Sequence, residues 1–346
     1  MTFSKSLTQW YLQHRRQLPW RETTHPYPIW LSEIMLQQTR VAQGLPYFLK
    51  FIEAFPTVTD MANAPEEKVL HLWQGLGYYS RARNLHATAK EVAFNMGGNF
   101  PKSFSELVKL KGVGDYTAAA IASIAYGEAV PVVDGNVYRV LSRVFGVETD
   151  ISSSGAKKEF TALAASLLPA GQASDFNQAM MEFGALQCVP KNPDCTICIF
   201  NATCVAYNTG RVNQLPVKLK KQKVTDRFFN YLIIKDANGR ILVNRRSDKG
   251  IWHGLYEFPL LETPAALSSD DTILLIKDFK GLSFTPKNIS SINAEPVIHK
   301  LSHQKLHIWF WEVTTNTELP EAVEKEHLKT IPLPIVLHNF ATEYWP

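Results

Sequence analysis

The sequence predicts a two-domain protein, an all-α part over residues 1–210 followed by an α+β part over residues 227–346. Three observations predict it. At 346 residues the chain is longer than one helical core ordinarily serves. Its hydrophobic period changes from that of helices to that of short strands near residue 220. Between the two textures lies a basic linker, residues 211–226. The stretch RVNQLPVKLKKQKVTDR that contains it carries six basic residues against one acidic. Such a run is either a solvated connection or a strip that follows a phosphate backbone.

Composition sets further bounds. Apolar content of 45% and charged content of 20% are those of a globular chain and exclude a disordered one. No apolar run approaches the ~18–20 residues that a membrane span requires. The N-terminal stretch MTFSKSLTQWYLQHRRQLPW has no signal-peptide core, so a cytoplasmic, reducing location is expected. It reads instead as a helix with Leu7, Trp10, Tyr11 and His14 on one face.

In WLSEIMLQQTR, residues 30–40, Glu33 stands among Trp30, Leu31, Ile34, Met35 and Leu36. It either points to solvent or is buried, and burial would raise its pKa until it can give up a proton near neutrality. GLGYYSR, residues 75–81, is a glycine-flanked turn carrying Tyr78 and Tyr79, read as packing residues or as an aromatic wedge. LKGVGDYTAAAIASIA, residues 110–125, places Gly112 and Gly114 ahead of an alanine-rich helix. That arrangement is a plain helical corner or a backbone-amide grip on phosphate. VVDGNVYRVLSRVFG puts Asp134 before a stripe of Val137, Val140, Leu141, Val144 and Phe145. Asp134 is an N-cap, a catalytic carboxylate, or both.

All the cysteines, Cys188, Cys195, Cys198 and Cys204, fall within CVPKNPDCTICIFNATC. The C-x6-C-x2-C-x5-C spacing in a reducing compartment suits an iron–sulfur cluster; zinc or free thiols are the other readings. Beyond the linker, RFFNYLIIKDANGRILVNRR reads as two strands turning at Asn238-Gly239, with both turn residues at positive φ. QKLHIWFWEVTT is a further strand.

These motifs, in this order, resemble the endonuclease III and adenine glycosylase (MutY) family of helix–hairpin–helix DNA glycosylases. The cysteine spacing matches that family's iron–sulfur loop throughout, which implies a [4Fe-4S] cluster at 188–204. L-x-G-V-G-x-x-T-A resembles its helix–hairpin–helix, about residues 110–126, with Lys111 where the family usually has proline. The resemblance implies that Glu33 protonates adenine N7 and helps activate water, and that Asp134 stabilises or captures the sugar cation. It also implies support from Asn136 and Tyr116, Arg21 and Gln38 near the adenine pocket and the opposite base, and Tyr78 inserted in the duplex. The bifunctional members carry a Schiff-base lysine where this chain has Tyr116, so a monofunctional glycosylase is expected.

The C-terminal part resembles the MutT-like (Nudix-fold) domain of the same family through KGIWHGLYEFP, residues 249–259. A working Nudix hydrolase needs a glutamate-rich helix after this motif, and LLETPAALSSDD stands there instead. In the family, a Phe-Ser-His turn on this domain reads 8-oxoguanine. Leu301-Ser302-His303 is the corresponding stretch, with leucine for phenylalanine. The expected partner is double-stranded DNA with an 8-oxoguanine·adenine or guanine·adenine mismatch, bound by a monomer without a membrane. An endonuclease III-like lyase and a non-catalytic iron–sulfur DNA-binding or redox-sensing protein are the alternatives.

Overall fold

The computed structural model describes residues 2–219, 224–248, 250–279 and 282–345. The middle of the basic linker, residues 220–223, lies outside them, as does Lys249 at the head of the Nudix-like motif. The chain divides into two compact units, Met1–Asn63 with Asn84–Lys221 and Ala64–Arg83 with Gln222–Pro346. Among the described residues no helix is long and apolar enough to cross a membrane.

The first unit is helical. Leu7, Trp10 and Tyr11 of the Phe3–His14 helix are buried against Phe176, Met180 and Phe183 of the Ala173–Leu186 helix. His14 departs from the expected face: it is exposed, and its ring stacks on Trp10 at a centroid distance of 4.8 Å. Val137, Val140, Leu141 and Val144 enter the same core from the Gly135–Phe145 helix, whereas Phe145 is 36% exposed. That helix ends at Gly146, whose φ of 70° favours glycine.

Two further helices position the chemistry. Pro26–Met35 starts with proline in its first turn and is buried on nearly every side from Ile29 to Met35. Asp115–Tyr126 is alanine-rich and buried from Thr117 to Ser123, because small side chains let neighbouring helices approach closely.

The second unit holds a seven-stranded sheet. Its central pair, Thr225–Lys235 and Gln304–Thr314, runs parallel through eleven residue pairs from Thr225↔Gln304 to Lys235↔Thr314. Leu260–Thr263 lies antiparallel on the other side of the first strand. The turn at Asn238-Gly239 differs from expectation: only Gly239 has positive φ, at 80°. Asp236 Oδ1 accepts the N–H groups of Asn238 and Arg240, both at 2.9 Å, which folds a three-residue loop ending in left-handed glycine.

Residues 64–83 join this unit through polar contacts. Arg245 pairs with Glu66 at 2.7 Å, and the Tyr256 hydroxyl donates to Glu67 at 2.8 Å. Arg83 donates to the His253 carbonyl at 2.5 Å.

Candidate active site

A cleft of about 730 Å³ in the first unit brings Glu33, Tyr116, Asp134 and Asn136 together with Arg21 and Gln38. Glu33 is 7% exposed on the buried Pro26–Met35 helix, so its carboxyl faces the cleft from an apolar wall. The Tyr116 hydroxyl, in the first turn of the Asp115–Tyr126 helix, donates to Glu33 Oε2 at 2.6 Å and lies 3.4 Å from Met181 Sδ.

Burial pushes Glu33 up to about 7, with help from the negative charge of Asp134; the Tyr116 hydrogen bond and Arg21 act the other way. Burial and the two carboxylates hold Tyr116 well above its ordinary pKa, so it remains a neutral donor.

Asp134 serves as N-cap and faces the cleft as well. Oδ1 accepts the Val137 N–H at 2.8 Å, and Oδ2 accepts Asn136 Nδ2 at 2.8 Å. Burial raises its pKa, while those bonds and the charge of Arg139 favour the anion. Asn136 is held in turn by Arg139, whose Nη2 donates to Asn136 Oδ1 at 2.9 Å and to the Gly184 carbonyl at 2.7 Å. A Cβ at Gly184 would meet Asn136 Cβ at 2.6 Å, so only glycine lets these helices come so close.

Arg21 lines the cleft with its guanidinium already engaged. Nη1 and Nη2 bind Glu182 at 2.9 and 2.8 Å, and Arg16 binds the same carboxylate through Nε at 2.8 Å and Nη2 at 2.5 Å. Burial works against ionising Glu182, but the hydrogen bonds from both arginines overcome it and hold the carboxyl at about 2. Sequence reading did not single out Glu182, Arg16 or Arg139. A glutamate inside the apolar run AMMEFGAL is the same signal that drew attention to Glu33.

Gln38 is exposed at the rim with φ 56°, a left-handed conformation uncommon for glutamine and concentrated at functional sites in proteins. The two hairpin glycines have different reasons. Gly112 has φ 77°, and a Cβ there would strike Asn84 at 2.7 Å, so the fold itself demands it. Gly114 caps the Asp115–Tyr126 helix at an ordinary φ of −87°, and a Cβ there would meet nothing. Its missing side chain leaves the amide end of the helix open to an outside group.

Tyr78 and Ser302 belong to the second unit. The turn before Tyr78 uses Gly75 and Gly77 at φ 93° and 78°, and Tyr78 itself has φ 49° and is 43% exposed. Ser302 and His303 form the tip of a two-residue hairpin loop, closed by the Leu301 N–H donating to the Gln304 carbonyl at 2.8 Å. Both are exposed. The hydroxyls of Tyr78 and Ser302 hydrogen-bond to each other, and both residues line a cleft of about 470 Å³.

None of the four cysteines forms a disulfide. Their thiols lie within electrostatic reach of one another, and burial followed by mutual repulsion raises Cys195. Among the described residues no three His, Cys, Asp or Glu side chains are grouped to hold a single metal ion. Buried Arg143 ties the loop down, donating through Nη1 to Cys188 Sγ at 3.4 Å and to the Val189 carbonyl at 2.8 Å. Arg139 Nε donates to the Cys188 carbonyl at 2.7 Å, so one helix turn holds both the cysteine loop and Asn136. An all-thiolate donor set offset by arginines fits an iron–sulfur cluster.

The helical fold is that of a class, the HhH-GPD superfamily of base excision DNA repair proteins, whose family model matches residues 31–166. A NUDIX domain model matches residues 230–343. Within that class, the chain belongs to the adenine DNA glycosylase family. It is 34% identical over 313 residues to the adenine DNA glycosylase of Buchnera aphidicola subsp. Baizongia pistaciae (strain Bp), spanning 89% of this chain and 85% of that one. Identity to the Homo sapiens adenine DNA glycosylase is 44% over 222 residues, 62% of this chain and 41% of that one. A solved thermostable thymine-DNA glycosylase aligns with a TM-score of 0.56 at 31% identity, covering 60% of this chain and 95% of that one.

Proposed function

We propose that this base-excision glycosylase releases adenine mispaired with 8-oxoguanine or guanine and leaves the DNA strand unbroken. The observation that carries the reading is Glu33, a carboxyl poised at about 7 and hydrogen-bonded by Tyr116 in the cleft that also holds Asp134. Breaking an N-glycosidic bond requires protonation of the leaving base and relief of positive charge on the sugar, work that a protonated and an ionised carboxyl divide between them. Glu33 gives its proton to adenine N7 and then, as carboxylate, draws a proton from the attacking water. Asp134, whose anion is favoured by its donors and Arg139 and opposed by burial, stabilises or captures the sugar cation, and Asn136 and Tyr116 keep the two carboxyls in place.

Tyr116 cannot form an imine. Lys157, which lines the adjoining cleft, is ion-paired with Asp115 and 63% exposed, so it is no desolvated amine nucleophile. Both observations support a monofunctional glycosylase. In this reading residues 1–210 carry the chemistry and residues 227–346 read the lesion. The amide end at Gly112 and Gly114 receives a DNA phosphate, Tyr78 enters the duplex, Arg21 and Gln38 border the flipped adenine and the opposite base, and Ser302 and His303 face 8-oxoguanine. The four cysteines would hold a [4Fe-4S] cluster, which fixes the loop they share; Arg139 and Arg143 offset its charge.

The test is release of adenine from an 8-oxoguanine·adenine duplex, with the strand examined before and after alkali. Adenine release with breakage only after alkali is the expected result. Breakage without alkali would establish a lyase, and binding without release a non-catalytic DNA-binding protein.

A further inference from the structure

Arg81 lies beneath the turn that presents Tyr78. It is 8% exposed, and its Nη2 donates to the carbonyls of Leu76 at 3.3 Å and Gly77 at 3.1 Å. Its guanidinium carbon stands 5.2 Å from the centroid of Trp73 and 5.4 Å from that of Tyr78, so it contacts both aromatic rings. Trp73 Nε1 donates to the same Gly77 carbonyl at 2.9 Å. Burial lowers Arg81 to about 10, which still leaves it a cation at neutral pH.

A desolvated guanidinium is costly unless carbonyls and aromatic faces replace its water. Tyr78 at φ 49° is strained as well, and such a conformation persists only where its surroundings over-determine it. Each group answers the other's need: the carbonyls that the turn aims inward solvate Arg81, and Arg81 with Trp73 fixes those carbonyls. We propose that Arg81 is a positioning residue that holds Tyr78 ready to enter the duplex, so that it governs opening of the base pair and not cleavage of the glycosidic bond. This rests on reading Tyr78 as the wedge. Lysine is a poor substitute, because its compact, strongly hydrated ammonium cannot lie near both rings and lose its water as readily as the broad, weakly hydrated guanidinium does.

The experiment compares the parent and Arg81→Lys on two duplexes under single-turnover conditions. One carries adenine opposite 8-oxoguanine; the other carries adenine opposite an abasic site, where no pair has to be opened. Arg81→Lys should slow release from the mispair by about tenfold or more, the size of one desolvated cation–π contact. Release from the unpaired adenine should change by less than about threefold. 2-Aminopurine placed beside the wedge step should unstack more slowly with the variant. Equal slowing on both duplexes, or slowing on neither, overturns the proposal. No release by the parent from either duplex overturns the adenine reading instead. If Arg81→Lys fails to fold, Trp73→Phe, which keeps an aromatic face and loses the bond to Gly77, is held to the same comparison.

Discussion

Tyr116 donates its hydroxyl to Glu33 Oε2 at 2.6 Å, joining two helices through residues 83 positions apart in the chain. The bond favours the Glu33 anion, whereas burial and Asp134 favour the protonated form, and the balance rests at about 7. Glu33 is therefore available both as an acid and, once deprotonated, as a base.

Removing the bond shifts that balance in a known direction. Tyr116→Phe takes away an influence that lowers the Glu33 pKa, so the alkaline limb of the pH dependence of kcat/KM should move to higher pH. A limb that stays in place would mean that the bond does not act on Glu33 in solution.

Glu33→Gln should abolish adenine release, leave mismatch binding, and stabilise the fold. A carboxyl whose folded pKa is raised from 4.5 to about 7 contributes stability at low pH that is lost as pH climbs through that interval. Glutamine never ionises, so the variant should gain at most roughly 3 kcal/mol over the parent at about pH 8 and nothing near pH ~4. Urea unfolding at the two pH values measures this, and a variant less stable at both would contradict the burial of an ionising Glu33.

Asp134→Asn separates the two duties of that residue. Asparagine caps a helix as well as aspartate does, and the burial that raises the Asp134 pKa penalises only the charged form, so the variant should be no less stable than the parent near neutral pH. Adenine release should nevertheless fall at least ~100-fold, about 2.7 kcal/mol of barrier. Full activity would reduce Asp134 to a cap.

The windows around Glu33 and Asp134 left open whether the first is buried and whether the second only caps its helix; the structure buries Glu33 and shows Asp134 as a cap, while their pairing was implied only by the family resemblance. The cysteine spacing by itself left an iron–sulfur cluster, zinc and free thiols open, and only the family resemblance chose among them. What pairs with what was not. Glu182 meets Arg21 across 161 residues, and no local pattern encodes that meeting. Residues 64–83 group with the sheet-bearing part, where Glu66 pairs with Arg245, a meeting that periodicity does not record. The Asn238-Gly239 turn was misread because the side chain of Asp236, two residues earlier, sets the loop length.

Glu182→Gln leaves Arg16 and Arg21 with a neutral partner, and Glu182 is 1% exposed, so the loss should be large, roughly 3–5 kcal/mol. Because the folded pKa is depressed to about 2, the stabilising effect is present above 4.5 and disappears as pH falls toward about 2. The gap between parent and variant in urea unfolding should close over that interval. A gap constant across it would show that packing, and not the ion pair, is what the substitution removes.

Ser302→Ala should weaken the preference for adenine opposite 8-oxoguanine over adenine opposite guanine, because the exposed hydroxyl at the hairpin tip is lost. Relative single-turnover rates on the two duplexes measure it. An unchanged ratio would remove Ser302 from lesion reading.

The most direct test of the central claim is kcat/KM for adenine release from about pH 5 to about pH 9, which reports the ionisation of the free protein. With Glu33 as the proton donor, activity should fall as pH rises through about 7, with the slope of one lost proton. A profile flat across that range would contradict the assignment of Glu33 as the acid.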